Sequence, residues 1–186
     1  MFYAFIGNCQ TLALSYYLQQ LVPNDTIFWC MYGNEFIQHL GNWTQKCKII
    51  KNINEIYKYI QTCDVIIYQE IELKKSEFAN DSTIKKIMKP TCKLIKMPSI
   101  HIDCNNYDVS IIELCKRETK NNVDIKVSDL ITKYKTNNRL MLTMVHPTTF
   151  LFLEVLKEIC IILNISFFSE KQYLYFMTDS NYMKLH

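Results

Sequence analysis

The stretch FYAFIGNCQTLALSYYLQQL, residues 2–21, reads as a strand, a tight turn and a helix. A short apolar run, Phe2 to Ile6, stops at Gly7 and Asn8, and beyond it Leu14, Tyr17, Leu18 and Leu21 recur at helical spacing. Gly7 can take the positive φ that such a turn often needs, and Asn8 is a favoured residue for entering a helix. Cys9 then falls in the first helical turn. Unpaired N–H groups and the positive end of the helix dipole gather there and favour a thiolate or another anion. The plainer alternative, a small buried thiol, is the usual fate of free cysteine and stays open.

Outward from this unit the alternation continues. Pro23-Asn24-Asp25 ends the helix and TIFWCM (26–31) reads as a second buried strand. Residues 33–44 form a mixed segment in which His39 fits a partly buried helical position. Ile53, Ile56, Tyr57 and Ile60 mark an amphipathic helix that feeds DVIIYQE (64–70), a strand apolar on both faces as expected when helices cover both sides. A helix capped by Ser82 runs to Met88, Pro90 breaks it, and CKLIKM (92–97) is a fourth strand ending at Pro98-Ser99. The predicted fold class is α/β: a mainly parallel central sheet of four to five strands flanked by helices, with a helix-rich second half. Ligands of such sheets bind beyond the carboxyl ends of the strands, which here carry Gly7 to Gln10, Gln69 and Pro98-Ser99.

The second half predicts helices over 109–120 and 129–135, capped by Asp108 and Ser128. RLMLTMVHPTTF (139–150) then leads to His146, with Pro147 at a natural first helical position and a long buried helix after it. At a helix start the field favours neutral imidazole, the form a general base needs, although a capping or packing role fits the position equally well. His101 and His186 give no comparable signal. SFFSEKQYLYFMT (166–178) reads as an aromatic segment closing the core as an edge strand.

Composition narrows the function classes. At 186 residues, 49% hydrophobic and 21% charged, the chain suits one ordered domain spanning 1–186. A net charge of +3 with scattered lysines does not indicate a nucleic-acid partner. The eight cysteines form no C-x-x-C pair and no histidine-spaced set, which argues against a zinc site or a disulfide scaffold. Free thiols inside apolar runs, such as Cys30 and Cys160, and the lack of a signal-peptide pattern give the expectation of a cytoplasmic protein. The longest apolar segment, 150–165, contains Glu154, Lys157 and Glu158, so membrane insertion is not expected.

Gly7-Asn8-Cys9-Gln10 after an amino-terminal strand, Asp64 to Gln69 in the middle, Pro98, and Thr143 with His146-Pro147-Thr148 before an apolar helix together resemble the WcbI family of polysaccharide-biosynthesis acetyltransferases. The similarity covers Phe2 to about Ile165, and the order and spacing of short motifs carry it. The resemblance implies coenzyme A binding and acetyl transfer to a sugar. It matches Cys9 and His146 to the family's cysteine and histidine, matches Gln10 and Gln69 to its polar site residues, and draws Gly7 and Thr143 to the cofactor side and Ser99 to the substrate side. A richness in Asn, Ile, Lys and Tyr further resembles proteins of AT-rich genomes, including giant viruses that acetylate amino-deoxysugars such as viosamine. The usual family chain is longer, so parts of the acceptor pocket are expected to be reduced here. The chain is also compatible with being one domain of a longer polypeptide fused to a further glycan-modifying domain.

The chemistry assigns roles. Acetyl transfer from acetyl-CoA needs a base, for which His146 suits, and donors for the oxyanion, for which the first N–H groups of the helix with the amides of Asn8 or Gln69 suit. Cys9 either takes the acetyl group covalently or only lines the thioester pocket. With three glycines there is no G-x-G-x-x-G or P-loop, so side chains must hold the phosphates, and Lys116, Arg117 and Arg139 are the candidates, each with a plain reading as an exposed charge. The acceptor expected is a sugar or nucleotide sugar such as UDP-viosamine, N-acetylated by direct attack; O-acetylation is the close alternative. A cysteine or esterase-like hydrolase and a non-catalytic coenzyme A or sugar-nucleotide module are the competing classes. The hydrolase is weakened because no Asp lies between Arg139 and His146 to orient the histidine, leaving only distant ones such as Asp108 or Asp129.

Overall fold

The computed structural model describes residues 1–31, 48–50, 52–69, 81–103 and 105–178. The expectations for His39, for Glu70 and for His186 fall outside these. Two compact units are formed, Met1–Ser99 and Ile100–His186.

The first unit is a doubly wound α/β layer structure. Strands β1 (Phe2–Gly7), β2 (Thr26–Met31), β3 (Lys48–Ile50), β4 (Val65–Gln69) and β5 (Lys93–Met97) form one sheet in the order β3-β2-β1-β4-β5. Every neighbouring pair is parallel. β1 is buried from Tyr3 to Gly7 and β4 along its whole length, as two central strands covered on both faces must be. The expected parallel α/β sheet is therefore present, and β3 is a strand that sequence reasoning did not assign.

Helix α1 (Cys9–Leu21) covers one face, where the Trp29 indole donates to Thr11 Oγ1 at 3.1 Å. On the other face Ala4, Ile6, Phe28, Cys30, Ile66 and Tyr68 pack on Ile56 and Ile60 of α2 (Ile53–Thr62) and on Ile84 of α3 (Asp81–Ile87). At the amino ends of the strands Asp64 accepts from the Phe2 N–H at 2.8 Å and from Lys89 Nζ at 2.5 Å. The lysine contact and the backbone N–H hold its carboxyl below the usual range. Helix α3 begins one residue before Ser82, which is therefore inside the helix and not its cap.

The second unit comprises α4 (Tyr107–Asn121), α5 (Val127–Tyr134), the antiparallel pair β6 (Met141–Thr143) and β7 (His146–Pro147), α6 (Thr149–Leu163) and α7 (Glu170–Thr178). Its buried residues include Leu114, Val127, Ile131, Leu140, Leu151, Val155 and Ile159. Helices α4 and α6 both end on left-handed asparagines, Asn122 at φ 47° and Asn164 at φ 55°, a conformation asparagine tolerates.

Several local expectations are corrected here. Asp108 and Ser128 lie inside the first turns of α4 and α5; the residues before those helices, Asn106 and Lys126, make no side-chain cap. The N-terminus of α5 is capped from a distance instead, because buried Glu118 of α4 accepts from the Ser128 N–H at 3.0 Å and from the Ser128 hydroxyl. Pro147 belongs to β7, and α6 is capped by Thr148, whose Oγ1 accepts from the Leu151 N–H at 3.4 Å. Residues 170–178 are helical, not an edge strand; Phe168 and Phe176 turn inward while Leu174 and Tyr175 stay exposed. Among the described residues, no helix is long and apolar enough to cross a membrane.

Candidate functional site

Strand β1 lies between β2 and β4, and the chain winds first toward β3 on one side and later toward β5 on the other. The carboxyl ends of β1 and β4 are thus the topological switch point, where sheets of this kind open a ligand crevice. Gly7, Asn8, Cys9 and Gln69 stand there.

Glycine is required at position 7 by proximity. A Cβ would lie 2.7 Å from Thr11 Cγ2, 2.8 Å from Thr11 Oγ1 and 2.9 Å from Gln69 Cβ, and its φ is not in the left-handed region. The expected role of a positive φ is corrected to close approach of β1, α1 and β4. Asn8 caps α1, its Oδ1 accepting from the Gln10 N–H at 2.8 Å. Gln69, fully buried, crosses from β4 to this turn: its Oε1 accepts from the Asn8 N–H at 3.3 Å, and its Nε2 donates to Gln10 Oε1 at 2.5 Å and to the Pro98 carbonyl at 3.3 Å. One partner is a backbone N–H and another a backbone carbonyl, so the orientation of the amide is fixed. Both amide hydrogens of Gln69 are thereby engaged, and it shapes the site without a spare donor for an oxyanion.

Asn8 keeps its Nδ2 uncommitted among the described residues, and the half-exposed turn presents it beside Cys9. The Cys9 thiol does not show the expected thiolate preference. Burial pushes its pKa up, and this outweighs the N–H groups of Cys9 and Gln10 that pull it down. Ser99 follows β5 and is half-buried.

In the second unit Thr143 and His146 are brought together. They are paired positions across the two-residue turn Met144-Val145, and Thr143 Oγ1 lies 2.6 Å from His146 Nδ1. Burial lowers the pKa of His146; the direction matches the expectation, but the cause is desolvation and not a helix start. A hydrogen-bonding partner for the histidine is thus present, a threonine three residues upstream. The signal is in the sequence as T-x-x-H, hidden because 139–146 reads as one run into the helix. Arg139 turns back on its own hairpin, with Nε 3.2 Å from the Met141 carbonyl. Lys116 and Arg117 lie on α4, Lys116 exposed and Arg117 half-buried, with no ion pair among the described residues. Asp108 is paired with Lys135 at 2.6 Å. Among the described residues, no group of His, Cys, Asp and Glu is arranged to hold a metal ion.

No known family's sequence pattern and no curated protein matches the chain. Among solved structures it is similar to WcbI, described as a novel polysaccharide biosynthesis enzyme, in a structure of the native protein without a disulfide bond between coenzyme A and a cysteine. The two share 17% identity with a TM-score of 0.65, over 90% of this chain and 72% of that one. At this identity the likeness is one of fold, and the chain has a WcbI-like α/β fold.

Proposed function

We propose that this chain is an acetyl-CoA-dependent acetyltransferase acting on a sugar, with an amino-sugar nucleotide such as UDP-viosamine as acceptor. The observation that carries this reading is the Gly7-Asn8-Cys9 turn at the switch point of a fold shared with WcbI, a polysaccharide biosynthesis enzyme whose description names coenzyme A and a cysteine, without a disulfide bond between them. The residues of the turn fit a thioester: a half-buried thiol, the Asn8 amide and the first N–H groups of α1 form a fixed set of dipoles.

Acetyl-CoA supplies the activated acetyl group. His146, lowered in pKa, is neutral at physiological pH and accepts the proton of the attacking amine as the new C–N bond forms and the C–S bond breaks. Cys9, with its thiol held protonated, lines the pocket, which favours direct transfer over an acetyl-enzyme. Asn8 steadies the carbonyl oxygen, Gln69 with Gln10 holds the turn, and Ser99, two residues beyond β5, is the residue proposed for the acceptor. Lys116, Arg117 and Arg139 are the cations proposed for the coenzyme A phosphates.

The test is to incubate the protein with acetyl-CoA and a panel of amino-sugar nucleotides and to follow acceptor mass. Gain of one acetyl group is expected, with turnover reduced at least about a hundredfold in His146→Ala while its melting temperature is retained. Coenzyme A binding without transfer to any acceptor would replace the transferase by a binding module, and an acetylated Cys9 with an inactive Cys9→Ala would establish a covalent intermediate.

A further inference from the structure

The hairpin β6–β7 is braced at its turn and at its base around one polar pair. Its turn is held by the Ile102 N–H donating to the Met144 carbonyl at 2.8 Å. Its base is tied by the Thr148 N–H donating to the Leu140 carbonyl at 2.9 Å, and the Thr148 hydroxyl lies 3.0 Å from the Arg139 carbonyl. Side chains of directly paired residues emerge on the same face, so Thr143 and His146 meet across the turn. The Val145 N–H also donates to Thr143 Oγ1, at 3.4 Å. That hydroxyl oxygen therefore already acts as an acceptor within its own turn. Among the described residues, the Arg139 guanidinium goes to the Met141 and Leu142 carbonyls, and Glu154 of α6 accepts from Tyr134 and Tyr173.

We infer that Thr143 is the positioning residue of His146, its hydroxyl oxygen accepting the Nδ1–H so that the imidazole is held with Nε2 as its basic nitrogen. A neutral imidazole carries one proton, and the bond made by one nitrogen decides the chemistry of the other. Were the threonine hydroxyl to donate to Nδ1 instead, the proton would sit on Nε2 and that nitrogen could not act as a base. A hydroxyl in this place fixes the tautomer and the ring plane without adding a charge. It does part of what a carboxylate does in a catalytic triad. The use of the tautomer in catalysis rests on the proposed role of His146, whereas the tautomer itself is observable without turnover.

The experiment is nitrogen NMR of the His146 ring in the wild type, Thr143→Val and Thr143→Ser, combined with steady-state kinetics. The wild type is expected to show Nδ1–H with an unprotonated Nε2. In Thr143→Val that preference is lost and the His146 pKa falls, because an acceptor that also serves the imidazolium has gone; Thr143→Ser restores both. In the transfer assay Thr143→Val is expected to lose between about ten- and a hundredfold in kcat with the KM for acetyl-CoA unchanged. An Nε2–H tautomer in the wild type, or a rise in the His146 pKa in Thr143→Val, overturns the inference. So does a raised KM for acetyl-CoA with an unaltered tautomer, which would make Thr143 a cofactor contact. The expected spectra in a protein that transfers no acetyl group would uphold the positioned histidine and reject the transferase.

Discussion

Gln69 shows how much one side chain contributes when it joins three segments that are distant in the chain. Its amide, itself fully buried, bonds to the Asn8 N–H, the Gln10 side chain and the Pro98 carbonyl. Gln69→Leu keeps the bulk but removes the partner that Gln69 gives to the Asn8 N–H and to the Pro98 carbonyl, each at a cost of roughly 1–3 kcal/mol. A loss of at least about 2 kcal/mol is expected in denaturant unfolding and, if the proposed coenzyme A site is correct, weakened binding in calorimetry, because the turn loses its brace. Gly7→Ala tests the same junction from the other strand. The added methyl meets the side chains of Thr11 and Gln69 and not a φ restriction, so a loss of about 1–3 kcal/mol is expected, as for other overpacked sites. Thr11→Ser in the same chain removes the closest of those contacts, Cγ2, and should recover part of the loss in thermal melts. Failure to recover any would place the strain in the backbone.

At the scale of elements, the start of α5 depends on a carboxylate that belongs to α4. Glu118 is buried, and burial raises its pKa despite the Ser128 hydroxyl and the Ser128 and Val127 N–H groups, which lower it. A carboxyl whose folded pKa lies above its unfolded value binds its proton more tightly when folded. Its contribution to stability is therefore greatest at acid pH and declines as pH rises from the usual carboxylate range through the folded value. Glu118→Gln, which cannot ionise, should remove this part of the pH dependence, a slope of at most about 1.4 kcal/mol per pH unit. Chemical denaturation of both forms at a series of pH values measures it, and parallel curves would mean that Glu118 titrates normally. The hairpin β6–β7 illustrates the same dependence on partners: two short strands have little intrinsic stability, and hydrogen bonds from Ile102 and Thr148 hold them.

Across the whole molecule, the thiols report the packing. Six cysteines among the described residues are free: Cys115 exposed, Cys9 half-buried, and Cys30, Cys63, Cys92 and Cys160 buried. Burial raises Cys63 to about 12 and Cys160 to about 11. Among these six, access sets the order: alkylation of the native protein at neutral pH is expected at exposed Cys115 first and at half-buried Cys9 more slowly. Cys30, Cys63, Cys92 and Cys160 should react only on unfolding, as peptide mass mapping over time would show. Coenzyme A added in excess should slow Cys9 selectively and leave Cys115 unchanged; equal rates with and without it would separate Cys9 from the proposed binding site.

What the sequence by itself determined is local or periodic. Phe2 to Leu21 announced strand, turn and helix because a short apolar run, a glycine, an asparagine and helical spacing all fall within twenty residues of one another. The apolar runs at 26–31, 64–69 and 92–97 similarly announced buried parallel strands, and with them the carboxyl edge where Asn8, Cys9 and Gln69 stand. Only the tertiary structure decided the rest, since those interactions join residues far apart in the chain. The bond from Gln69 to Gln10 spans 59 positions, and the Glu118 cap of α5 comes from the preceding helix, so propensity at Ser128 could not reveal it. The segment 166–178 became a helix once Phe168 and Phe176 had a core to enter, although its aromatic content favours a strand. His146 was conspicuous from the start. Its partner Thr143 was not, because the two meet only when the chain reverses at Met144-Val145, a turn without the glycine or asparagine that marks a hairpin.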